Sequence, residues 1–412
     1  MIPDQSDIAV VGAGPTGLAA ALALAHAGAR VALIGSPPLP ESPQRLDTRT
    51  AALLQSSIEM LRALGVFDDL KPHAAPLLGI RIIDDTGGLF RAPDVEFRAS
   101  ELGLQAFGYN IANSLLVEAL YRRADAESIE RHPVTVDRIA LSPDSATLSA
   151  KDGITLTAKL VVGADGRHSI CRKAAGIGAP ERRYGKGAIA TSFAHGAPHR
   201  GVSVELHRQR GSVTTVPLPD PRASSLIWLD EDAEIKALMA LDAEAFTAAL
   251  ERRLGGLLGN ISKTSARGYF AVKVLAADSM TGRRTALVGE AAHVLPPIGA
   301  QGLNLSLRDA ATLADCVKRA LTQGLDPGAD AVLHAYESAR KPDVLTRTVG
   351  IDLLSRSLLS GFLPLHAARG LVSHGLNALL PLRRLVMRLG MAPPTELPSL
   401  MRPASARGPV QA

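Results

Sequence analysis

The chain has 412 residues, 46% hydrophobic and 21% charged, the balance of a globular protein with a real core. Aromatics make up 3%, so the core is expected to rest on Leu, Ala and Val, and two distant cysteines, Cys171 and Cys316, exclude a disulfide scaffold or a CxxC metal or redox pair and read as inert buried thiols. The net charge of +5 gathers at one end, where residues 340–412 hold ten Lys/Arg against three Asp/Glu.

A nucleic-acid reader would carry a basic face interleaved with stacking aromatics; none is legible, so no nucleic-acid partner is expected. No apolar run of about 18 residues supports a membrane span. The first residues lack a basic region and a cleavage site, so a cytoplasmic location is expected, with the inner face of the membrane as a peripheral site.

Asp7–Val11 predicts a short strand ending at Gly12. GAGPTG then sets Gly12, Gly14 and Gly17 at GxGxxG spacing, before an Ala/Leu helix ending at Gly28 and a second strand, RVALIG. This strand–turn–helix–strand context makes the pattern a dinucleotide fingerprint. Gly12 allows the sharp turn, Gly14 lets backbone N–H groups approach a pyrophosphate, and Gly17 lets the helix pack close to the sheet. The helix N-terminus adds partial positive charge. Gly35 and Ser36 stand where an acid would bind ribose hydroxyls; Ser36 offers one hydrogen bond in its place.

Next come a loop and an amphipathic helix, PQRLDTRTAALLQSSIEMLRALG, in place of further βα alternation. In KLVVGADGRHSICR a strand, Leu160–Val162, leads into Gly163, Asp165 and Gly166. Residues 184–228 alternate polar and apolar (SVELH, SVTTVPL, SSLIWL) like an antiparallel sheet. In TALVGEAAHVLPPIGAQGLNLSLRD a strand ends at Gly289, followed by Glu290, a Pro-rich loop and a helix opening at Gln301–Gly302. Pro296 and Pro297 hold that loop extended, and Gly299 and Gly302 permit turns that side chains would block. The helix N-terminus would present N–H groups to an electron-rich carbonyl.

In order and spacing, VVGAGPTGLAAALALA, DTRTAAL, AFGYNIANSLL, GADGRHSICR, GEAAHVLPPIGAQGLNLSLRD and YESARKPD resemble the flavoprotein aromatic hydroxylases related to p-hydroxybenzoate hydroxylase, and more nearly the ubiquinone-biosynthesis flavin hydroxylases. The resemblance runs from residue 6 to about residue 390. It implies an α/β fold: a glutathione-reductase-type FAD-binding domain, an interleaved β-sheet substrate domain and C-terminal helices. The expected segments are 1–75, 105–180 and 270–345 for FAD, 76–104 and 181–269 for the substrate sheet, 346–391 for a helical region and 392–412 for a disordered tail. It implies FAD as cofactor, NAD(P)H or another electron donor as co-substrate, and dioxygen. Because one full GxGxxG is present, the donor would bind transiently. The implied cofactor-binding positions are Gly12, Gly14, Pro15, Gly17, Ser36, Arg49, Asp165, Gly166, Gly289, Glu290, Pro297, Gly299, Gln301, Gly302, Leu303 and Asn304. Asp165–Gly166 would lie between FAD and the donor's path, Gly289 and Glu290 by the ribityl and pyrophosphate portion, with Glu290 where the family usually has Asp. Arg49 would bridge the flavin side and the pyrophosphate.

The implied reaction is hydroxylation of an aromatic ring carbon of a polyprenyl phenol in ubiquinone biosynthesis, through a flavin C4a-hydroperoxide. The cofactor carries the chemistry, which fits the lack of any triad or HExxH. A base would help a phenol react as phenolate. The candidates are His195, His199, Glu205, His207 and Tyr184, with His195 and Tyr184 taken as catalytic; no metal is expected. Trp228 and His293 are expected to pack. The basic, leucine-rich stretch 351–390 reads as helices with an apolar stripe. It suits peripheral contact with an anionic membrane, where a polyprenylated substrate dissolves, and a complex with other quinone-biosynthesis proteins. The alternatives are hydroxylation of a small soluble aromatic, a flavin halogenase or prenyl reductase (the halogenase disfavoured by the lone Trp228), and a non-catalytic assembly factor.

Overall fold

Residues 6–11 are buried throughout, as a central parallel strand covered on both faces must be. The computed structural model describes residues 5–36, 47–86, 93–208, 211–297, 299–359, 379–391 and 396–406. The chain runs β1 (Gln5–Val11), α1 (Pro15–His26), β2 (Val31–Ile34), β3 (Thr50–Leu54), α2 (Gln55–Ala63), β4 (Gly79–Asp84), β5 (Val95–Arg98), β6 (Gly108–Ala112), α3 (Asn113–Ala126) and β7 (Thr155–Gly163). It continues through β8 (Glu181–His195), β9 (Val202–Arg208), β10 (Gly211–Pro217), β11 (Ala223–Glu231), α4 (Asp232–Ala240), α5 (Ala243–Leu254), β12 (Gly268–Ala276), β13 (Thr285–Leu287), α6 (Gln301–Thr322), α7 (Asp330–Leu359) and α8 (Leu380–Met391), with shorter pieces between.

The first sheet is parallel in the order β13, β7, β1, β2 and Glu130–His132, with Ile8 beside Leu160 and Val31. An antiparallel hairpin, Val136–Ala150, pairs onto β7. Helix α1 lies on this sheet with Leu18 to Leu24 buried. Leu18, Leu22 and Leu24 each contribute about 1.5–3 kcal/mol of burial. The alanines between them keep the helix near the strands, and Gly17 brings it closest.

The second sheet is ordered Gly268–Ala276 (β12), β8, β11, β10, β9, β4, β5. Opposite residues share a face in antiparallel pairs. Ile189 and Phe193 of β8, Leu226 and Trp228 of β11 and Val213 of β10 share the outer face, where they pack on Ile235 and Leu238 of α4 and Phe246 and Leu250 of α5. The other parity puts Ala190 and Ser192, Ser225 and Ile227, Thr214 and Val216, and Glu205 and His207 on the inner face. A small third sheet pairs β3 and β6 against that inner face. β12 extends the second sheet to Ala276, past the boundary expected at 269, because its residues pair with β8 over Glu181–Ala190.

Toward the C-terminus, α8 lays Met387 and Met391 against Phe97, Ile80, Ile82 and Val216. The stretch expected as a disordered tail departs from that reading: Leu400 and Met401 are buried in the main core, and Ser399 is held by Asp315. The apolar triplet within LPSLM supplies burial that the Pro- and Ala-rich average conceals. Residues 360–378 of the expected helical region and 407–412 of the tail lie outside the described residues.

Candidate active site

Four sequence motifs meet at the C-terminal end of the parallel strands. Gly12 sits at φ +114°, and a Cβ there would stand 2.4 Å from the Ala164 carbonyl oxygen. A Cβ on Gly17 would stand 1.8 Å from the Gly12 carbonyl oxygen. A Cβ on Gly289 would touch Thr16 of α1 at 2.9 Å and the Ser306 hydroxyl of α6 at 3.0 Å. These contacts need glycine for packing. Gly14 differs. It caps α1 ahead of Pro15 at N1, its φ is an ordinary −76°, and an added Cβ would meet nothing within 4 Å. Its missing side chain leaves open space in front of unsatisfied helix N–H groups, the geometry an anionic phosphate fits.

Asp165 accepts from the Ile170 N–H at 2.6 Å and the Cys171 N–H at 3.2 Å, so its carboxylate caps the short helix Ile170–Ala174. Arg172 donates to the Ala291 carbonyl at 2.8 Å, tying this motif to the Gly289 loop. Gly166 lies beside open space. At the end of β2, Ser36 is exposed, and a cleft of about 180 Å³ is lined by Leu33, Gly35, Tyr121, Arg131 and Pro133. The Arg131 guanidinium stacks 4.7 Å over the Tyr121 ring. An adenosine end could lie here on a cationic and aromatic surface in place of the absent acid.

Arg49 is gripped through two hydrogen bonds by Asp47, at 2.8 and 2.7 Å, and its guanidinium lies 5.5 Å over the Phe270 ring of β12. Those bonds to Asp47, with the nearby charge of Glu290, hold the guanidinium above its ordinary pKa. Arg49 and the exposed Glu290 therefore face one space between the glycine motifs and the second sheet.

The N-terminus of α6 closes the site. Gly299 and Ala300 both take left-handed backbone, at φ +63° and +55°, a strained choice for Ala300. Pro297, Gly299 and Gly302 are exposed, and a Cβ on Gly302 would meet nothing within 4 Å. Gln301 donates to the Gly299 carbonyl at 2.9 Å and accepts from Arg347. Leu303 packs toward the core. Asn304 is fully engaged by protein: it accepts from the Leu54 N–H at 2.8 Å and the Ser57 hydroxyl at 2.7 Å, and donates to the Ala52 and Ala300 carbonyls. Its amide positions the loop against β3, and no polar atom is left over for a cofactor.

Behind this loop lies a buried charge network that the sequence motifs did not announce. Asp309 accepts from the Gly289 N–H at 3.0 Å, from His293 at 2.6 Å and from Arg340 at 2.8 Å. Asp343 accepts from Arg308, Arg340 and Arg347 at 2.7–2.9 Å. Burial alone would raise the Asp343 carboxyl, but the three guanidiniums overcome it and bring it down to about 2. A carboxyl depressed below its ordinary value adds stability that is whole above about pH 4 and lost as pH falls toward 2. Acid titration of the melting temperature should therefore fall more steeply over that window in the native chain than in Asp343→Asn; parallel curves would contradict the network's charge state.

On the inner face of the second sheet, Ser225 meets Thr50 at 2.9 Å and Asn110 at 3.3 Å, and Asn110 also donates to the Pro217 carbonyl. The Asn110 side-chain oxygen is buried without a partner among the described residues. This polar bridge between sheets was missed by sequence reasoning, since its three members lie on separate strands. His195 belongs elsewhere. It shares the outer parity with Phe193, its Nδ1 bonds the Ala197 carbonyl and its Nε2 bonds Ser224. Burial lowers its pKa. It pins a loop and does not reach the inner face, and His199, bonded to the Leu218 and Asp220 carbonyls, does the same. Tyr184 stands at the start of β8 with Arg182 5.7 Å over its ring. Glu205 and His207 do reach the inner face, 3.5 Å apart. Trp228 packs on α5, as expected.

Open space at two converging helix N-termini, glycines placed for backbone approach and an antiparallel floor opposite fit a bound FAD. The fold and site together define a flavin-dependent monooxygenase. The sequence matches the family described as FAD binding domain over residues 5–348, and the chain belongs to that family. It is 37% identical to the ubiquinone hydroxylase UbiL of Rhodospirillum rubrum, over 96% of this chain and 92% of that protein. It is 30% identical to 3-demethoxyubiquinol 3-hydroxylase of Escherichia coli, over 90% of this chain and 94% of that protein. Among solved structures, p-nitrophenol 4-monooxygenase PnpA of Pseudomonas putida superposes with a TM-score of 0.76 at 20% identity, covering 95% of this chain and 99% of that one; this likeness concerns the fold. The protein is an FAD-dependent monooxygenase that uses dioxygen and a reduced nicotinamide donor.

Proposed function

We propose that this enzyme hydroxylates a ring carbon of a polyprenylated phenol on the route to ubiquinone. The observation that carries the reading is the end-to-end similarity to two hydroxylases whose names place them on ubiquinone or its precursor. The inner face of the second sheet supports it. Ile227 is half-buried there, and Ile80, Ile82 and Val216 are half-buried beside the methionines of α8, an apolar lining suited to a ring that enters next to that helix.

FAD, when bound, would supply the redox and oxygen-transfer chemistry, with electrons from a reduced nicotinamide and the oxygen atom from dioxygen. The protein's share is placement. Gly14 and the α1 N-terminus would hold the pyrophosphate, Arg49 would bridge the seam, and the α6 N-terminus at Gly302 would stabilise negative charge on the flavin. The inner face positions the substrate ring and keeps water away from it. The test is quinone profiling by mass spectrometry in a strain lacking the gene: a precursor short of one ring oxygen should accumulate, and an unaltered quinone profile would end the proposal.

The greasy substrate sets a second requirement, contact with a bilayer on its cytoplasmic side. No described helix is long and apolar enough to cross a membrane. Helix α8 instead exposes Leu380, Leu382, Leu385, Val386 and Leu389, with Leu379 just before it. Its other side is fixed to the substrate sheet by Met387, and Arg383 is held by Glu101 at 2.7 Å. Arg384 and Arg388 flank the apolar ridge, where each cation near an anionic surface adds about 1 kcal/mol. Leu385→Glu with Leu389→Glu should cut sedimentation with anionic liposomes by at least about tenfold, a loss of about 1.4 kcal/mol or more; unchanged sedimentation would remove α8 as the contact.

A further inference from the structure

We propose that Glu205, backed by His207, takes the ring-hydroxyl proton of the substrate. The inference rests on the reading that the inner face of the second sheet receives a phenolic ring. Glu205 and His207 alternate along β9 with Val204 and Leu206, which lie on the opposite face. Their register neighbours are Thr214 and Ser212 on β10, and Ile82 and Asp84 on β4. The two side chains are 14% and 7% exposed, with Glu205 Oε1 3.5 Å from His207 Nε2. That separation is too long for a good hydrogen bond and is closed by a small side-chain rotation.

The partnership sets Glu205 apart from the fully or nearly buried acids held by guanidiniums among the described residues. Asp230 faces Arg253, Glu101 faces Arg383, Asp309 faces Arg340, and Asp343 faces Arg308, Arg340 and Arg347. Each holds a permanent cation. Glu205 has an imidazole instead, and among the described residues its carboxylate makes no hydrogen bond. Neither Glu205 oxygen is among the sealed, partnerless side-chain atoms of the described residues, so a phenol O–H arriving on the inner face would replace water on the carboxylate. Ile82, Thr214 and Val216 beside it are half-buried, Ile82 and Val216 in the apolar cluster that Met387 and Met391 of α8 join.

The step balances without a further reactant. The phenol O–H bond breaks, its proton passes to the Glu205 carboxylate and on to His207 Nε2, and the products are a phenolate, a carboxylate and an imidazolium of unchanged total charge. No electron is transferred. The phenolate makes the ring carbon a better nucleophile toward the oxygen delivered from the cofactor. Glu205 is thus a catalytic residue and His207 its positioning residue.

The holoenzyme can be tested with a nitrophenol carrying a short prenyl chain, whose phenolate is coloured, at a pH where the free probe is mainly neutral. The native enzyme should bind it as the coloured phenolate. Glu205→Gln should keep its FAD and its melting temperature and still bind the probe, but lower the bound phenolate-to-phenol ratio about tenfold, the effect of one unit in the probe's bound pKa. Glu205→Asp should restore part of the colour, and His207→Gln should reduce it without loss of binding. An unchanged colour in Glu205→Gln would overturn the proposal. So would loss of FAD or of the melting transition in Glu205→Gln and His207→Gln alike, because the pair would then be structural. Failure of the native enzyme to bind the probe at all would overturn the ring-binding reading itself, and this proposal with it.

Discussion

Replacing Gly14 by valine is expected to leave the protein folded and strip it of flavin. The backbone at Gly14 is one that any residue adopts, and an added Cβ touches no protein atom within 4 Å. The branched side chain would stand in the space at the α1 N-terminus where phosphate oxygens would meet backbone N–H groups. We expect the dissociation constant for FAD to rise at least about 100-fold, a loss of about 2.7 kcal/mol. Flavin released per chain on denaturation should drop to near zero while circular dichroism and the melting of FAD-free protein stay native. Gly17→Val is the contrast: its Cβ would lie 1.8 Å from the Gly12 carbonyl, so both fold and flavin should be lost. Native flavin content in Gly14→Val would show that the pyrophosphate lies elsewhere.

The second large effect is expected at Asp309, which bonds no cofactor in the scheme above. Asp309→Ala would leave the Arg340 guanidinium buried beside a partner removed, and would release the Gly289 N–H and His293 together. Breaking a buried pair in this way costs about 3–5 kcal/mol. A fall of about 3–6 °C in melting temperature follows for a chain of this length, together with weaker FAD retention, because Gly289 and the α6 N-terminus are both held by the network. Asp309→Asn should do less damage, since the amide oxygen can still accept from Gly289. A melting temperature within a degree or two of native for Asp309→Ala would contradict the network's role.

What could be read from the sequence follows the physical reach of each signal. The Gly12–Gly17 turn was legible because strand, turn and helix are contiguous and each glycine answers a local steric need. Both helix N-termini were legible for the same reason. The inner face was not. Residues 184–228 show alternation, but which parity faces the cofactor depends on register between strands, and one step exchanges the faces. The register puts His195 on the outer face and Glu205 and His207 on the inner one. The network of Arg308, Asp309, Arg340 and Asp343 joins two helices across more than thirty residues, and no local pattern marks it. Asn304 lies in the expected motif, yet its amide is consumed by β3 and α2, a contact that spans some 250 positions. Leu400 and Met401 were hidden by the Pro- and Ala-rich composition around them.

The most direct measurement is a single turnover with isotope-labelled dioxygen. Purified enzyme with its FAD reduced would be mixed with a short-chain polyprenyl phenol and labelled gas, and the products read by mass spectrometry. A ring placed on the inner face beside the cofactor should gain one labelled oxygen, in near-equal yield with the flavin reoxidised. Hydrogen peroxide as the sole product, with the phenol bound but recovered unchanged, would contradict that placement.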